Sequence, residues 1–100
     1  MSLVFDPPVH PGEILREDFM KPLGLSAIAL AKALGVPRNR IERIAREDIG
    51  VSADTALRLA KHFGTSAEVW TGLQVAYELA IERKAIAKEL AKIESRATAA

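Results

Sequence analysis

One hundred residues, 49% hydrophobic and 27% charged, suffice for one domain with a single small core. With no cysteine, disulfides and thiolate metal sites are excluded, and a reducing compartment fits. No apolar run reaches membrane-spanning length and the start lacks the basic and apolar regions of a signal peptide, so no membrane role and a cytoplasmic location are expected.

Taken in order, residues 1–10 (MSLVFDPPVH) read as an extended arm, because Pro7 and Pro8 disfavour helical geometry in their neighbours. Pro11 opens a first helix, with Glu13 near its positive end and Ile14, Leu15 and Phe19 offered to a core; Pro22 and Gly24 end it. Ser26 is a good N-cap for the second helix. From Ser26 to Arg46 the chain reads as two short helices around a tight turn. Leu30, Ala31 and Leu34 recur at helical spacing, Gly35 breaks the pattern, and after Val36 and Pro37 the spacing resumes at Ile41, Ile44 and Ala45. Gly35 suits the left-handed position past a helix end, Pro37 suits the opening of the next helix, and Ala31 lets that helix cross closely. This is helix-turn-helix logic, with Leu30, Ala31, Leu34, Gly35, Val36, Ile41 and Ile44 as its expected core.

A loop around Gly50 then leads to Ser52, which caps a fourth helix with Asp54 in its first turn. Ala56, Leu59, Ala60 and Phe63 line one face, with Leu57 beside them. Gly64 stops it. Thr65 or Ser66 starts a fifth helix, with Glu68 completing a capping box from Thr65, and the helical pattern runs to about Ile93. Val69, Trp70 and Leu73 should close the core of a five-helix domain over residues 11–75. Over 76–94, Ala76, Leu79, Ile86, Leu90 and Ile93 form a heptad-like stripe that a projecting helix cannot bury alone. Either it folds back or it meets a partner, with a homodimer interface the favoured reading. Residues 95–100 read as a frayed tail.

The net charge of +1 conceals an uneven distribution. Residues 32–46 carry Lys32, Arg38, Arg40, Arg43 and Arg46 against Glu42 alone, a local net of +4, while residues 1–31 and 47–77 are each at −2. A solvated, Arg-rich helix face would look the same, but this excess coincides with the independently detected motif. The third helix would present Arg38, Asn39, Glu42, Arg43 and Arg46. Arg38, Asn39 and Arg43 are candidates for base readout, since Arg can hold guanine and Asn adenine with two hydrogen bonds. Glu42 either accepts from cytosine or holds Arg38 or Arg46 through an i,i+4 pair. Lys32, Arg40 and Arg46 suit phosphate contacts. At helical spacing beside Leu73, Trp70 and Tyr77 read as core and interface residues before base-stacking platforms. His10 reads as a helix-start residue and His62 as the polar edge of the fourth helix. Neither belongs to a metal-ligand spacing, and no cofactor is expected. No nucleophile–base constellation or phosphate-cradling loop points to an enzyme.

The spacing Ala31–Gly35–Ile41 resembles that of the lambda-repressor-like (XRE) regulators. HPGEIL at 10–15, TALRLAK at 55–61, FGTS at 63–66 and W..LQ..Y at 70–77 together resemble the HigA (VapI-like) antitoxins of that family, over roughly residues 10–80. The resemblance implies a homodimer that binds double-stranded DNA at an inverted-repeat operator, represses its own operon, and neutralises a HigB-like, mRNA-cleaving toxin. An orphan repressor without a toxin, or an interaction module that has lost DNA binding, are the alternatives. Two departures bear on DNA affinity. Ala27 stands where the family often has Gln, and the loop after the third helix carries Glu47 and Asp48 where the family is often basic. Two carboxylates there would repel phosphate.

Overall fold

The computed structural model describes residues 7–96; the first six residues of the expected arm and the last four of the expected tail lie outside the described residues. Among the described residues the chain is all-helical, with no strand. His10 starts α1: its backbone is extended and its imidazole Nδ1 accepts from the Gly12 N–H at 2.9 Å, so the side chain caps the helix. Helix α1 comprises Pro11–Ile14, a π-helical stretch over Leu15–Met20, and Lys21–Leu23, ending at left-handed Gly24. The expected helix is present, but Pro22 lies inside its last turn instead of stopping it. A proline ring crowds the carbonyl four residues back and brings no N–H of its own. Widening the preceding turn, with the Lys21 N–H bonded to the Arg16 carbonyl, accommodates it.

Helix α2, Ala27–Leu34, is capped by the Ser26 hydroxyl, which accepts from the Ala29 N–H at 3.1 Å. It ends at Gly35, whose φ of 70° permits the Val36 N–H to reach back to the Ala31 carbonyl at 3.0 Å. Helix α3, Arg38–Ala45, begins one residue later than expected: Pro37 is the extended cap residue and not the first helical one. Helix α4, Ala53–Phe63, is capped by Ser52 as expected. Its buried face is Thr55, Ala56 and Leu59, with Ala60 and Phe63 half-buried and Leu57 exposed.

Helix α5, Ala67–Ala85, is capped by Ser66, whose hydroxyl accepts from the Val69 N–H. The expected Thr65–Glu68 capping box does not form, because the Thr65 hydroxyl accepts from the buried Trp70 indole N–H at 3.0 Å. Trp70 and Leu73 close the core as expected, whereas Val69 points outward. Phe19 packs between Phe63 and Trp70, with ring centroids 4.7 and 5.1 Å apart, and so ties α1 to both α4 and α5.

The single long helix expected to run to Ile93 is interrupted at Ile86 (φ −113°, ψ 25°), and α6 spans Ala87–Ala91. The break falls in a stretch exposed throughout residues 81–96, where no packing against the core enforces a straight helix. The Cα radius of gyration, 16.5 Å, exceeds the ~13 Å of a compact chain of this length. The end of α5 and α6 therefore project. Folding back, one of the two fates expected for the stripe, does not occur.

His10 is 4% exposed, and its ring meets Tyr77 edge-on at 4.8 Å. Burial holds its imidazole below the ordinary value of 6.5, with the negative charge of Glu47 pulling the other way. Neutral His10 is therefore favoured by folding, and the unfolded chain binds more protons as the medium becomes acidic. The contribution is complete above the ordinary imidazole value and is lost as pH falls through it. The thermal midpoint should decline between pH 7.5 and 5.5, and His10→Asn, which keeps a capping oxygen, should flatten that decline. An unchanged decline in the variant would remove His10 as its source.

Candidate nucleic-acid interface

The geometry of α3 begins with its buried side. Ile41 and Ile44 are fully buried against Leu30, Ala31 and Leu34, so α2 holds one face of α3 against the core. Val36 is only half-buried, packed at the edge of that cluster, and Gly35 forms the exposed turn; neither belongs to the buried core expected from sequence. At 3.6 residues per turn, the side opposite Ile41 and Ile44 carries Asn39, Glu42, Arg43 and Arg46, with Arg38 and Arg40 on its flanks. Asn39, Arg43 and Arg46 are exposed, and Lys32 is exposed on α2.

The cations of this face are not equally free. Arg38 Nε lies 3.1 Å from Glu42 Oε2, one helical turn on. Arg40 Nη1 lies 2.9 Å from Asp54 Oδ2 at the start of α4. Arg46 Nε lies 3.2 Å from Asp48 Oδ2. Of the two readings of Glu42 left open by the sequence, the observed contact is the pair with Arg38. Asp54 also meets Arg58 Nε at 3.0 Å. The hydrogen bond from Arg58 holds the Asp54 carboxyl below its usual value, against the opposing effect of burial and with help from the charge of Arg58 and from the hydrogen bond and charge of Arg40.

Residues outside the motif seat α3. Gly12 is buried where α1 meets the end of α3: a Cβ placed there would lie 1.8 Å from the Ile44 carbonyl oxygen. The Arg16 guanidinium donates to the Ala45 carbonyl and to Glu47 Oε2 at 3.3 Å, and its Nε pairs with Glu17 at 2.8 Å. Those carboxylates, Glu17 foremost, raise the Arg16 pKa further. Past Ala45, the Glu47 N–H bonds the Ile44 carbonyl at 2.9 Å and the Asp48 N–H bonds the Arg43 carbonyl at 2.8 Å. This terminating turn puts Glu47 at φ 66°, in the left-handed region. The turn residue is thus Glu47 and not Gly50, with Arg16 fixing its side chain. On the far side, Gln74 Oε1 accepts from the Val51 N–H at 2.8 Å. Arg58 Nη1 donates to the Leu34 carbonyl at 2.8 Å, closing the exposed end of α2.

Sequence reasoning did not single out Gly12, Arg16, Arg58 or Gln74 as supports of the site. A glycine just inside a helix, where Ala is the better helix former, was a usable sign of close approach. The others act on partners 23 to 31 residues away and leave no local signature.

A helix-turn-helix family model matches residues 17–70. The chain belongs to the helix-turn-helix family. It is similar to virulence-associated protein I of Dichelobacter nodosus, 59% identical over 73 residues that cover 73% of this chain and 68% of that one. It is also similar to antitoxin HigA-1 of Vibrio cholerae, 36% identical over 72 residues covering 72% and 68%. Among solved structures, the Pseudomonas aeruginosa antitoxin HigA with the higBA promoter superposes with a TM-score of 0.86 and 44% identity. That match covers 89% of this chain and 98% of that one. These are the family and the branch to which the four sequence blocks pointed, and the expected all-α, lambda-repressor-like fold is the one found. Regulators and antitoxins of this family are not enzymes, and this chain is not one. Among the described residues no helix is long and apolar enough to cross a membrane.

Gly12→Ala should destabilise the fold by more than a surface change, on the order of 1–3 kcal/mol for an overpacked site, because the atom in its way is backbone. In a domain of this size that lowers the thermal midpoint by roughly 4–8 °C per kcal/mol. A thermal melt matching the unmodified protein would show that α1 does not seat α3 through this contact.

Proposed function

We propose that this chain is a sequence-specific DNA-binding antitoxin that represses its own operon and neutralises a HigB-like, mRNA-cleaving toxin. The observation that carries the DNA half is the outward, Arg-rich face of α3, held by Ile41 and Ile44 on α2 in a fold shared with a HigA that was solved with its promoter. The toxin half rests on similarity to the named antitoxin HigA-1 and on the HPGE, ALRLAK and W..LQ blocks. Each block has a structural task here: His10 and Gly12 dock α1, Arg58 closes α2, and Trp70 and Gln74 tie α5 to the core and the loop.

The proposed working form is a homodimer on double-stranded DNA. Leu79, Ile86, Leu90 and Ile93 are exposed on α5, the Ile86 joint and the segment beyond, with Ala76 half-buried at their inner end; Val75 extends the same stripe. Such a projecting apolar surface fits a second copy. A dimer places two α3 helices on one side of the duplex, so the operator should be an inverted repeat with half-sites one helical turn, about 34–36 Å, or a multiple apart. Footprinting of the upstream promoter should show two symmetric protected half-sites. Protection of a lone half-site by a monomer would contradict the dimer. Co-expression with a neighbouring small nuclease-like reading frame tests the toxin half, and persistent toxicity beside intact repression would leave an orphan repressor.

The acidic loop takes a different meaning from the one its charge suggests. Glu47 is engaged by Arg16, and Asp48 pairs with Arg46, so each carboxylate is at least partly neutralised within the fold. Asp48→Asn would free Arg46 for phosphate. It should tighten binding to operator and random duplexes alike, more at low salt, and steepen the dependence of log K on log salt by about 0.9 for each phosphate newly neutralised. Weaker operator binding by the variant would instead make Asp48 an orienting partner of Arg46.

A further inference from the structure

On the outward face of α3, two side chains stand apart from the rest. Arg38, Arg40 and Arg46 are each held by a carboxylate of the same chain, Glu42, Asp54 and Asp48 respectively. Asn39 and Arg43 make no side-chain hydrogen bond or ion pair among the described residues, and both are exposed. They are four residues apart, so they stack on one side of the helix, near the centre of the surface opposite Ile41 and Ile44. The unpaired arginine and the amide are thus aligned along the line that would enter a major groove, while the paired arginines lie towards its borders and the end of the helix.

We infer that Asn39 and Arg43 are the base-reading pair, and that Glu42 is a positioning residue that keeps Arg38 at the groove edge. This rests on the DNA-binding function proposed above and narrows it to a ligand of stated chemistry. Arg43 is free to present its guanidinium to guanine O6 and N7, and Asn39 its amide to adenine N6 and N7. Four residues of helix rise about 6 Å, against about 3.4 Å per base-pair step. Each half-site should therefore hold an adenine and a guanine no more than about two steps apart. Arg38, when it reaches the duplex, meets phosphate. Glu42 cancels part of its charge and accepts nothing from the bases.

The test uses the full chain and the duplex footprinted upstream of its own gene, with every half-site base pair varied singly, at two salt concentrations. Unmodified protein should prefer that duplex over a shuffled one; no preference would overturn the DNA-binding function and this inference together. Given a preference, Asn39→Ala should abolish discrimination at one A·T pair and Arg43→Ala at one G·C pair, each by about 5- to 150-fold. Arg43→Lys keeps the charge without the fixed two-pronged geometry and should recover only part of the guanine preference. Arg38→Ala should weaken all duplexes alike. Glu42→Gln should steepen the salt dependence and leave the base preferences in place. The inference is overturned if Arg43→Ala weakens every duplex equally, if Arg38→Ala erases discrimination at one position, or if Glu42→Gln erases a cytosine preference. Each of these outcomes leaves the DNA-binding function standing.

Discussion

The close approach of α1 to the end of α3 is the constraint on which the rest of this structure turns. Gly12 brings the two backbones to a separation that no side chain would allow, and Arg16 then reaches the last carbonyl of α3, that of Ala45, and the carboxylate of Glu47. Helix α3 has only eight residues and could not hold its shape alone in water. Its outward face is usable because Ile41 and Ile44 fix its rotation from below while Gly12 and Arg16 fix its end. Helix α5 completes the grip from the other side, through Gln74 on Val51 and Tyr77 against His10. The same helix carries Ala76 and Leu79, the inner end of the apolar stripe proposed to meet a second copy, so the proposed dimer contact begins on the element that helps to seat α3.

Electrostatics on this surface is a matter of allocation more than of total charge. The net charge of +1 would suit many functions, yet the local excess of positive charge stands on α3. Of the four arginines on α3 and at its C-cap, Arg38, Arg40 and Arg46 are countered by carboxylates from α3 itself, from α4 and from the loop after α3. Exposed pairs of this kind contribute little to stability, typically 0–1 kcal/mol, and salt weakens them further. Their consequence is geometric: they hold long side chains in place before any ligand arrives and lower the non-specific attraction that an unpaired cluster would exert on every duplex. If α3 meets DNA as proposed, a chain so arranged would give up indiscriminate affinity and keep the contacts able to distinguish sequences.

The positions legible in the sequence were those governed by local chemistry. Ser26, Gly35 and Ser52 each mark a helix end through a neighbour two to five residues away, and the periodicity of Leu30, Ile41, Ile44 and Leu59 marks the buried faces. What could not be read depended on which groups the tertiary packing buries or brings together. Thr65 was diverted from capping because Trp70, once buried, required an acceptor for its indole N–H. Val69 was expected inside because it is apolar, but the face that α5 buries is set by Trp70 and Leu73. Pro22 signalled a stop, yet a widened turn accommodated it, in a helix whose Phe19 packs between Phe63 and Trp70. The loop carboxylates looked like simple repulsion because Arg16, 31 residues before Glu47, was invisible as their partner.

As proposed, the seated face of α3, and not the projecting helices, meets DNA. Backbone amide resonances of the isotopically labelled chain, followed as the upstream promoter duplex is added, test it most directly. The largest shifts should fall on the start of α2 and on residues 36–46, with the amides of α4 and the middle of α5 little changed. Shifts concentrated on residues 76–94, with α3 unmoved, would contradict it.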